Sequence, residues 1–371
     1  MEMTQKERIL AVARGEHLDK IPFGARIDLW YNYNSGHKTL PDKYKGWEQT
    51  AVIRDQGAGA QVRYFSVVKE KYHDMEVIEK KEPPYIKTEF RTPLGSVYKT
   101  MLYTSLEGPW IGYEAEKVFK SEKDYPIIEY ILQHTSPVLD PGFNEVQRKM
   151  GDDGIVMTGV GLWSPTQRIM REIMGFETFF YELADRPAKV ESLIVNMENL
   201  ARKKYEVGIK ADLEIFNICS NWSDDVHTPV FRKYFIPWFQ EITEFLHSHG
   251  KLAMAHVDGE NKRLLQFFNE TGIDIWEAWS PAPMTSISTA ELRKTLGNKG
   301  VIWGGVPATL FEPTCSDAEF DQYIINLLKE VAPGYNFIVG MGDNLPFDGI
   351  IERVGRIVEI IDKYGRLPFS G

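Results

Sequence analysis

The sequence predicts an α/β protein built as a (β/α)8 TIM barrel with an elaborated N-terminal region, and three observations carry that reading. Short apolar runs alternate with helical stretches from residue 154 onward without a break, the pattern of βαβ units around a parallel sheet. No GxGxxG follows any of those runs, which disfavours a doubly wound dinucleotide-binding sheet. Polar and ionisable residues gather where the runs end, and the C-terminal end of a barrel strand is where chemistry is housed.

The elements follow in order. Residues 4–14 read as a first helix, because Thr4 and Glu7 have capping-box spacing and Gly15 supplies a stop. Residues 21–30 read as the first strand. The pattern changes over 69–107, where residues 85–90 alternate with Ile86, Thr88 and Phe90 on one face and a Thr-Pro-Leu-Gly turn follows at 92–95. This predicts a β-hairpin insertion decorating the barrel. Buried strands are expected at 155–160, 213–219, 252–257, 273–279, 301–303 and 337–341. Helices are expected near 187–208, 230–249, 260–271, 288–296, 316–331 and 348–363, with Asp185 before Pro187 and Ser316 with Glu319 marking two starts. With the run at 21–30 these strands approach the eight of a barrel, and residues 1–371 read as one domain.

Composition excludes several classes of function. The 53 acidic and 43 basic residues leave a net charge of -10, which opposes a nucleic-acid partner because phosphate backbones demand basic surface. A 43% hydrophobic content suffices for a large core without staples. Cys219 and Cys315 are the only cysteines, too few for a disulfide framework or a CxxC zinc site, and they point to a reducing compartment. The opening MEMTQKERIL reads as an amphipathic helix, and no apolar run approaches the roughly 18 residues of a membrane span. A cytoplasmic location with no membrane partner is expected. Nine Trp and 17 Tyr, several near strand ends, either wall a pocket for a flat small-molecule substrate or pack the core.

The sharpest constellation is His256-Val-Asp258-Gly259: alternation puts His256 and Asp258 on one side of the chain, and Gly259 allows a tight exit. Glu277 and Asp343 end later strands, so His256, Asp258, Glu277 and Asp343 form a candidate site for zinc or another divalent cation. The same groups admit metal-free acid and base chemistry, with a carboxylate orienting His256. They also admit a purely structural polar layer. Arg26 either bridges a carboxylate such as Asp28 or meets an anionic substrate group. His256, Asp258, Glu277 and Arg26 are thus the candidate catalytic residues, and Trp30, Trp163, Asn221, Trp222, Trp279 and Asn344 the candidate substrate contacts. Cys219 reads as a small buried hydrophobe, Cys315 stands beside a helix cap, His247 and His249 suit a helix C-terminus, and His227 lies near Asp224 and Asp225.

The segment TQKERILAVARGEHLDKIPF resembles the N-terminal helix and first strand of uroporphyrinogen decarboxylase and its methyltransferase relatives. HTPVFRKYFIPWFQEI resembles their middle helix, and KLAMAHVDG, VIWGGVPATL and IVEIIDKYGRLP resemble later barrel landmarks, so the likeness spans nearly the whole chain in order. Decarboxylases of this superfamily carry two arginines in the first-strand loop and an aspartate soon after. Here Arg26 matches the first, Trp30 stands at the second, and residues 57–68 offer no counterpart of the aspartate. Decarboxylation of uroporphyrinogen is therefore disfavoured. The corrinoid-dependent methyltransferases carry a zinc-binding His-x-Cys pair and a distant Cys; here His256-x-Asp258 and Asp343 stand in those places. The resemblance implies methyl transfer from a small methylated substrate, methoxylated aromatics and O-demethylation included, to cobalamin on a partner corrinoid protein. The alternatives are a metal-free decarboxylase, in which Arg26 grips a carboxylate and Asp258 or His256 handles protons, and a catalytically silent binding barrel.

Overall fold

Short strands buried on both faces require a parallel sheet covered by helices, and they set the architecture here. The computed structural model describes residues 2–103 and 112–367. The chain clusters into two compact units, one of Met1–Phe65, Gly142–Gly159 and Asp212–Gly371, the other of Ser66–Pro141 and Val160–Ala211.

The first unit is the barrel. It begins with β1 (Phe23–Ala25) and β2 (Gly59–Arg63). The second unit supplies β3 (Val68–Tyr72), β4 (Glu76–Glu82), β5 (Tyr85–Thr92), β6 (Gly95–Tyr103), β7 (Gly112–Glu116) and β8 (Thr135–Leu139). The barrel resumes with β9 (Gly154–Met157), β10 (Ile215–Ser220), β11 (Leu252–His256), β12 (Ile275–Trp279), β13 (Val301–Val306) and β14 (Phe337–Met341). An eight-stranded parallel sheet runs β10-β11-β12-β13-β14-β1-β2-β9, and a parallel bridge between Thr158 and Phe216 joins its ends.

The helix Gln5–Arg14 carries the expected capping box at Thr4 and Glu7 and the left-handed Gly15 stop. Its Ile9, Leu10, Ala11 and Val12 pack with Ile155, Met157, Ile215, Met254, Ile275, Val301, Trp303 and Ile338, so this helix closes the floor of the barrel. Trp303 fills the interior beside Gly24 of β1 and Gly340 of β14, where a Cβ on either glycine would run into the indole. Only a bare backbone leaves room there.

Several expected elements have different bounds. The run at 21–30 is a strand only at Phe23–Ala25; Asp28–His37 is a helix, so Arg26 lies just beyond β1 and Trp30 on the helix. The eighth strand is β2, whose GAQVR sequence carries too few apolar residues to announce itself. The helix expected near 260–271 shrinks to Leu265–Phe268, because Asp224 takes the backbone N–H groups of Arg263 and Leu264 and ties the preceding segment as a turn. The helix expected near 230–249 is split into a π-helical turn, Phe231–Phe235, and Ile236–Ser248.

Within the second unit, β4 to β7 form an antiparallel sheet and β3 pairs with β8. The expected hairpin is β5–β6, turning at Thr92 and Gly95; residues 104–107 of the expected insertion lie outside the described ones. Glu70 on β3 is gripped by Arg168 at 2.7 Å and by Lys204, and the Tyr72 hydroxyl donates to it at 3.0 Å. Burial works against the Glu70 charge, but Arg168 and Lys204 outweigh it and hold the carboxyl far below the ordinary range. We propose that residues 1–371 form one domain, because the two units interleave along the chain.

Two stability outcomes follow. Glu70→Gln leaves Arg168 and Lys204 with an uncompensated buried charge and should cost about 3 kcal/mol in urea unfolding. Because the folded-state pKa of Glu70 is depressed, its charge stabilises the fold above the unfolded value of about 4.3 and that stability is lost as pH falls. The acid limb of stability against pH should therefore be shallower in the variant. Gly24→Ala should lower unfolding stability by about 2 kcal/mol through overpacking against Trp303; an unchanged midpoint would show that the indole has room to move.

Candidate functional site

Strand alternation builds the site on the inward face of the barrel. On β11, Met254 points into the floor and His256, two residues on, points the same way at the strand's end. On β12, Ile275 and Glu277 share that relation. A register shift between Glu277 and Trp279, with Ala278 in the left-handed region at φ 61°, makes a bulge immediately after Glu277. Bulges of this kind end pairing and re-aim side chains beside functional sites.

The result is a buried pair. His256 Nδ1 lies 2.6 Å from Glu277 Oε2, and the other Glu277 oxygen accepts from Gln61 Nε2 at 2.7 Å. An ionised carboxylate only accepts, so Nδ1 carries the hydrogen and donates it. His256 Nε2 then faces Asp258 Oδ2 and Asp343 Oδ1, each 3.5 Å away. Burial favours a neutral His256 ring, but Glu277 and Asp258 outweigh it and push its pKa up to about 9. Burial likewise opposes the Glu277 charge, and His256, Arg26 and Gln61 together hold that carboxyl below the ordinary range.

Other side chains hold these groups in place. Asn221, itself left-handed at φ 53°, donates from Nδ2 to both Asp258 oxygens at 2.9 and 3.0 Å. Asp258 is held low in pKa by His256 and Asn221 against the cost of burial. Arg26 donates to Asp28 at 2.9 Å and to Asp343 at 2.6 Å, so it bridges two carboxylates. Asp343 has φ 126°, a backbone region that belongs to glycine, and such strain in a non-glycine residue collects at functional sites.

Ligand atoms of His256, Asp258 and Asp343 all fall within 4.8 Å of one another. One imidazole nitrogen and two carboxylate oxygens make a three-ligand set that leaves a position open, as catalytic zinc requires. Glu277 is absent from that group and lies behind the imidazole, on the Nδ1 side of His256. Of its two oxygens, one meets His256 and the other accepts from Gln61.

The remaining expected contacts scatter. Asn344 accepts the backbone N–H of Leu29 at 3.1 Å, tying the loop after β14 to the helix Asp28–His37. Trp30 is buried on that helix. Trp222 belongs to the core, within 4.9 to 6.1 Å of the rings of Phe231, Phe239, Trp276 and Phe268, and an indole surrounded on all sides cannot wall an open pocket. Trp279 is fully buried as well. Trp163 lies in the second unit, stacked by the Arg171 guanidinium at 4.4 Å. Cys219 is fully buried and burial pushes its thiol up, which fits a small hydrophobe. His227 accepts from the Ser223 N–H at 3.0 Å and His247 meets Asp274 at 2.8 Å.

Gln61 and Arg63 were not foreseen as site residues. Both stand on β2, the strand that the apolar pattern does not reveal, and the period-2 placement of two polar side chains before Tyr64 was the one available signal. Among the described residues no helix is long and apolar enough to cross a membrane.

Comparison with known proteins places this geometry in a family. A methyltransferase from Methanosarcina mazei superposes with a TM-score of 0.62 at 13% identity, over 98% of this chain and 99% of that one, which shows a shared fold. An octameric ribulose-1,5-bisphosphate carboxylase/oxygenase from Pyrococcus horikoshii OT3 reaches a TM-score of only 0.36 at 9% identity, over 92% of this chain and 59% of that one, and carries no argument. No curated protein matches the sequence. The uroporphyrinogen decarboxylase (URO-D) family model matches residues 152–364, more than half of the chain and all but two of the barrel strands. The chain belongs to the uroporphyrinogen decarboxylase family.

Proposed function

We propose that this protein is a methyltransferase that moves a methyl group from a small methylated substrate, with methoxylated aromatics the favoured class, to cobalamin on a partner corrinoid protein. The observation that carries the reading is the convergence of His256, Asp258 and Asp343 at the barrel mouth with Glu277 behind the imidazole. Family membership supports it, as does the fold shared with a protein described as a methyltransferase.

The residues present fit zinc. His256 would bind it through Nε2, with Asp258 and Asp343 supplying one oxygen each. Bound there, zinc would supply Lewis acidity to polarise the ether oxygen and stabilise a departing phenolate. The chain's own groups do the positioning: Glu277 fixes the tautomer and tilt of His256, Asn221 holds Asp258, and Arg26 holds Asp343. In the transfer the methyl carbon would leave the ether oxygen, whose bonding pair stays behind, and the corrinoid acceptor would supply the electron pair for the new bond. The phenolate then takes up a proton from solvent.

A second reading draws on His256 itself. With its pKa pushed up to about 9 by Glu277 and Asp258 against the effect of burial, a metal-free site keeps a proton at neutral pH. A decarboxylase could deliver that proton to the carbanion left by loss of CO2.

Elemental analysis of the purified protein should find near-stoichiometric zinc, lost in His256→Ala and Asp258→Asn. Glu277→Gln should keep the ligands but bind zinc about 10- to 100-fold more weakly; complete loss there too would make Glu277 a ligand. Incubation with a methoxylated phenol and cob(I)alamin should produce the methylcobalamin spectrum, and His256→Ala should abolish it. Release of CO2 from a carboxylated substrate without corrinoid or metal would replace this reading with the decarboxylase.

A further inference from the structure

Arg63 ends β2 at the barrel mouth. Alternation places it on the same face as Gln61, whose amide reaches Glu277 inside the barrel. Its charge lies within electrostatic range of Arg26, Glu277, Asp343 and Asp28, so it belongs to the same site. Arg26 is already engaged with Asp28 and Asp343. Arg63 is not: its Nε and Nη2 are screened from solvent and have no hydrogen-bond partner among the described residues.

That is a costly arrangement for a free protein. The two screened N–H groups lose hydration that no acceptor replaces, and Arg26 adds like-charge repulsion that Glu277, Asp343 and Asp28 offset only in part against burial. The two unpartnered atoms are also specific. Nε and Nη2 form one edge of the guanidinium, two parallel N–H donors spaced to meet both oxygens of a planar carboxylate. A lysine, or an arginine with only its tips free, offers no such fork.

We propose that Arg63 is the anion-binding residue of the site, and that the substrate carries a carboxylate which pairs with its guanidinium, turned from its closed position in the free protein so that the Nε–Nη2 edge meets both oxygens. The inference rests on the methyltransferase reading for the choice of an aromatic acid, and names the substrate class of that same site as a methoxylated aromatic carboxylate. The carboxylate is an anchor in this account and leaves unchanged; the bonds that change are those of the methyl group. Arg63 sets which substrates are accepted, and the His256 cluster acts on them.

The test is binding and stability, measured on the full-length protein without corrinoid. Benzoate and its neutral isostere benzamide serve as probes in calorimetric titration. Benzoate should bind the wild type about 10- to 100-fold more tightly than benzamide, and Arg63→Met should bind the two alike. Arg63→Lys, which keeps the charge and removes the fork, should retain only a small part of the preference. In the absence of ligand Arg63→Met should melt at or above the wild-type temperature, because it removes a partly buried guanidinium with two screened N–H groups that have no acceptor. A lower melting point would overturn the proposal by revealing a structural role, as would equal binding of the probes by the wild type, an undiminished preference in Arg63→Met, or no benzoate binding at millimolar concentration. Methylcobalamin formation stands apart from these readouts. An Arg63-dependent benzoate preference without methyl transfer sinks the methyltransferase reading alone, and methyl transfer from neutral and anionic methoxyarenes alike sinks the Arg63 proposal alone.

Discussion

The hydrogen bond from His256 Nδ1 to Glu277 organises everything around it. It is 2.6 Å long, lies between two buried groups, and joins the ends of adjacent strands β11 and β12. Inside a low-dielectric barrel such a charge-assisted bond is strong, and either partner left alone would be an expensive buried polar group. The bond therefore fixes which nitrogen bears the hydrogen and leaves Nε2 pointing at Asp258 and Asp343. Gln61 locks the far oxygen of Glu277, so the carboxylate cannot swing away. Rigid scaffolding from three strands is what makes a cluster of like-charged carboxylates tolerable at one point in space.

Charge around this bond is arranged in opposed pairs. Arg26 ties down Asp343 and Asp28, while Asn221 restrains Asp258 by hydrogen bonding without adding charge. Each carboxylate facing the open side thus has a partner that fixes its orientation and leaves part of its acceptor capacity free. This is the preorganisation that a ligand-binding cluster needs, since reorienting groups during binding or reaction would consume the interaction energy. Arg63 is the exception, a donor with no acceptor among the described residues.

Periodicity made most of the barrel readable. β9 to β14 are apolar runs bounded by turn residues, and the capping boxes at Thr4 and Ser316 mark helix starts that the structure bears out. β2 escaped notice because its inward positions carry Gln61 and Arg63, residues chosen for the site and not for the core. The stretch at 21–30 misled for a related reason: its apolar residues serve first a three-residue strand and then the buried face of a helix, and one run cannot display both periods. At the site, His256, Asp258, Glu277, Asp343 and Arg26 were visible because strand ends are known positions in this architecture. Which oxygens of Glu277 are already engaged, by His256 and Gln61, is encoded in no spacing.

The closed floor of the barrel has a kinetic meaning. The helix Gln5–Arg14 and the indole of Trp303 fill the interior beneath the polar cluster, so among the described residues that end of the barrel is packed shut. Whatever enters by the C-terminal ends of the strands must leave by the same doorway. If the methyl acceptor is a carrier protein seated over that doorway, the spent substrate is imprisoned until the carrier departs. Turnover is then metered by how long the two proteins stay together, and a carrier that holds too tightly would throttle the reaction as surely as one that fails to dock.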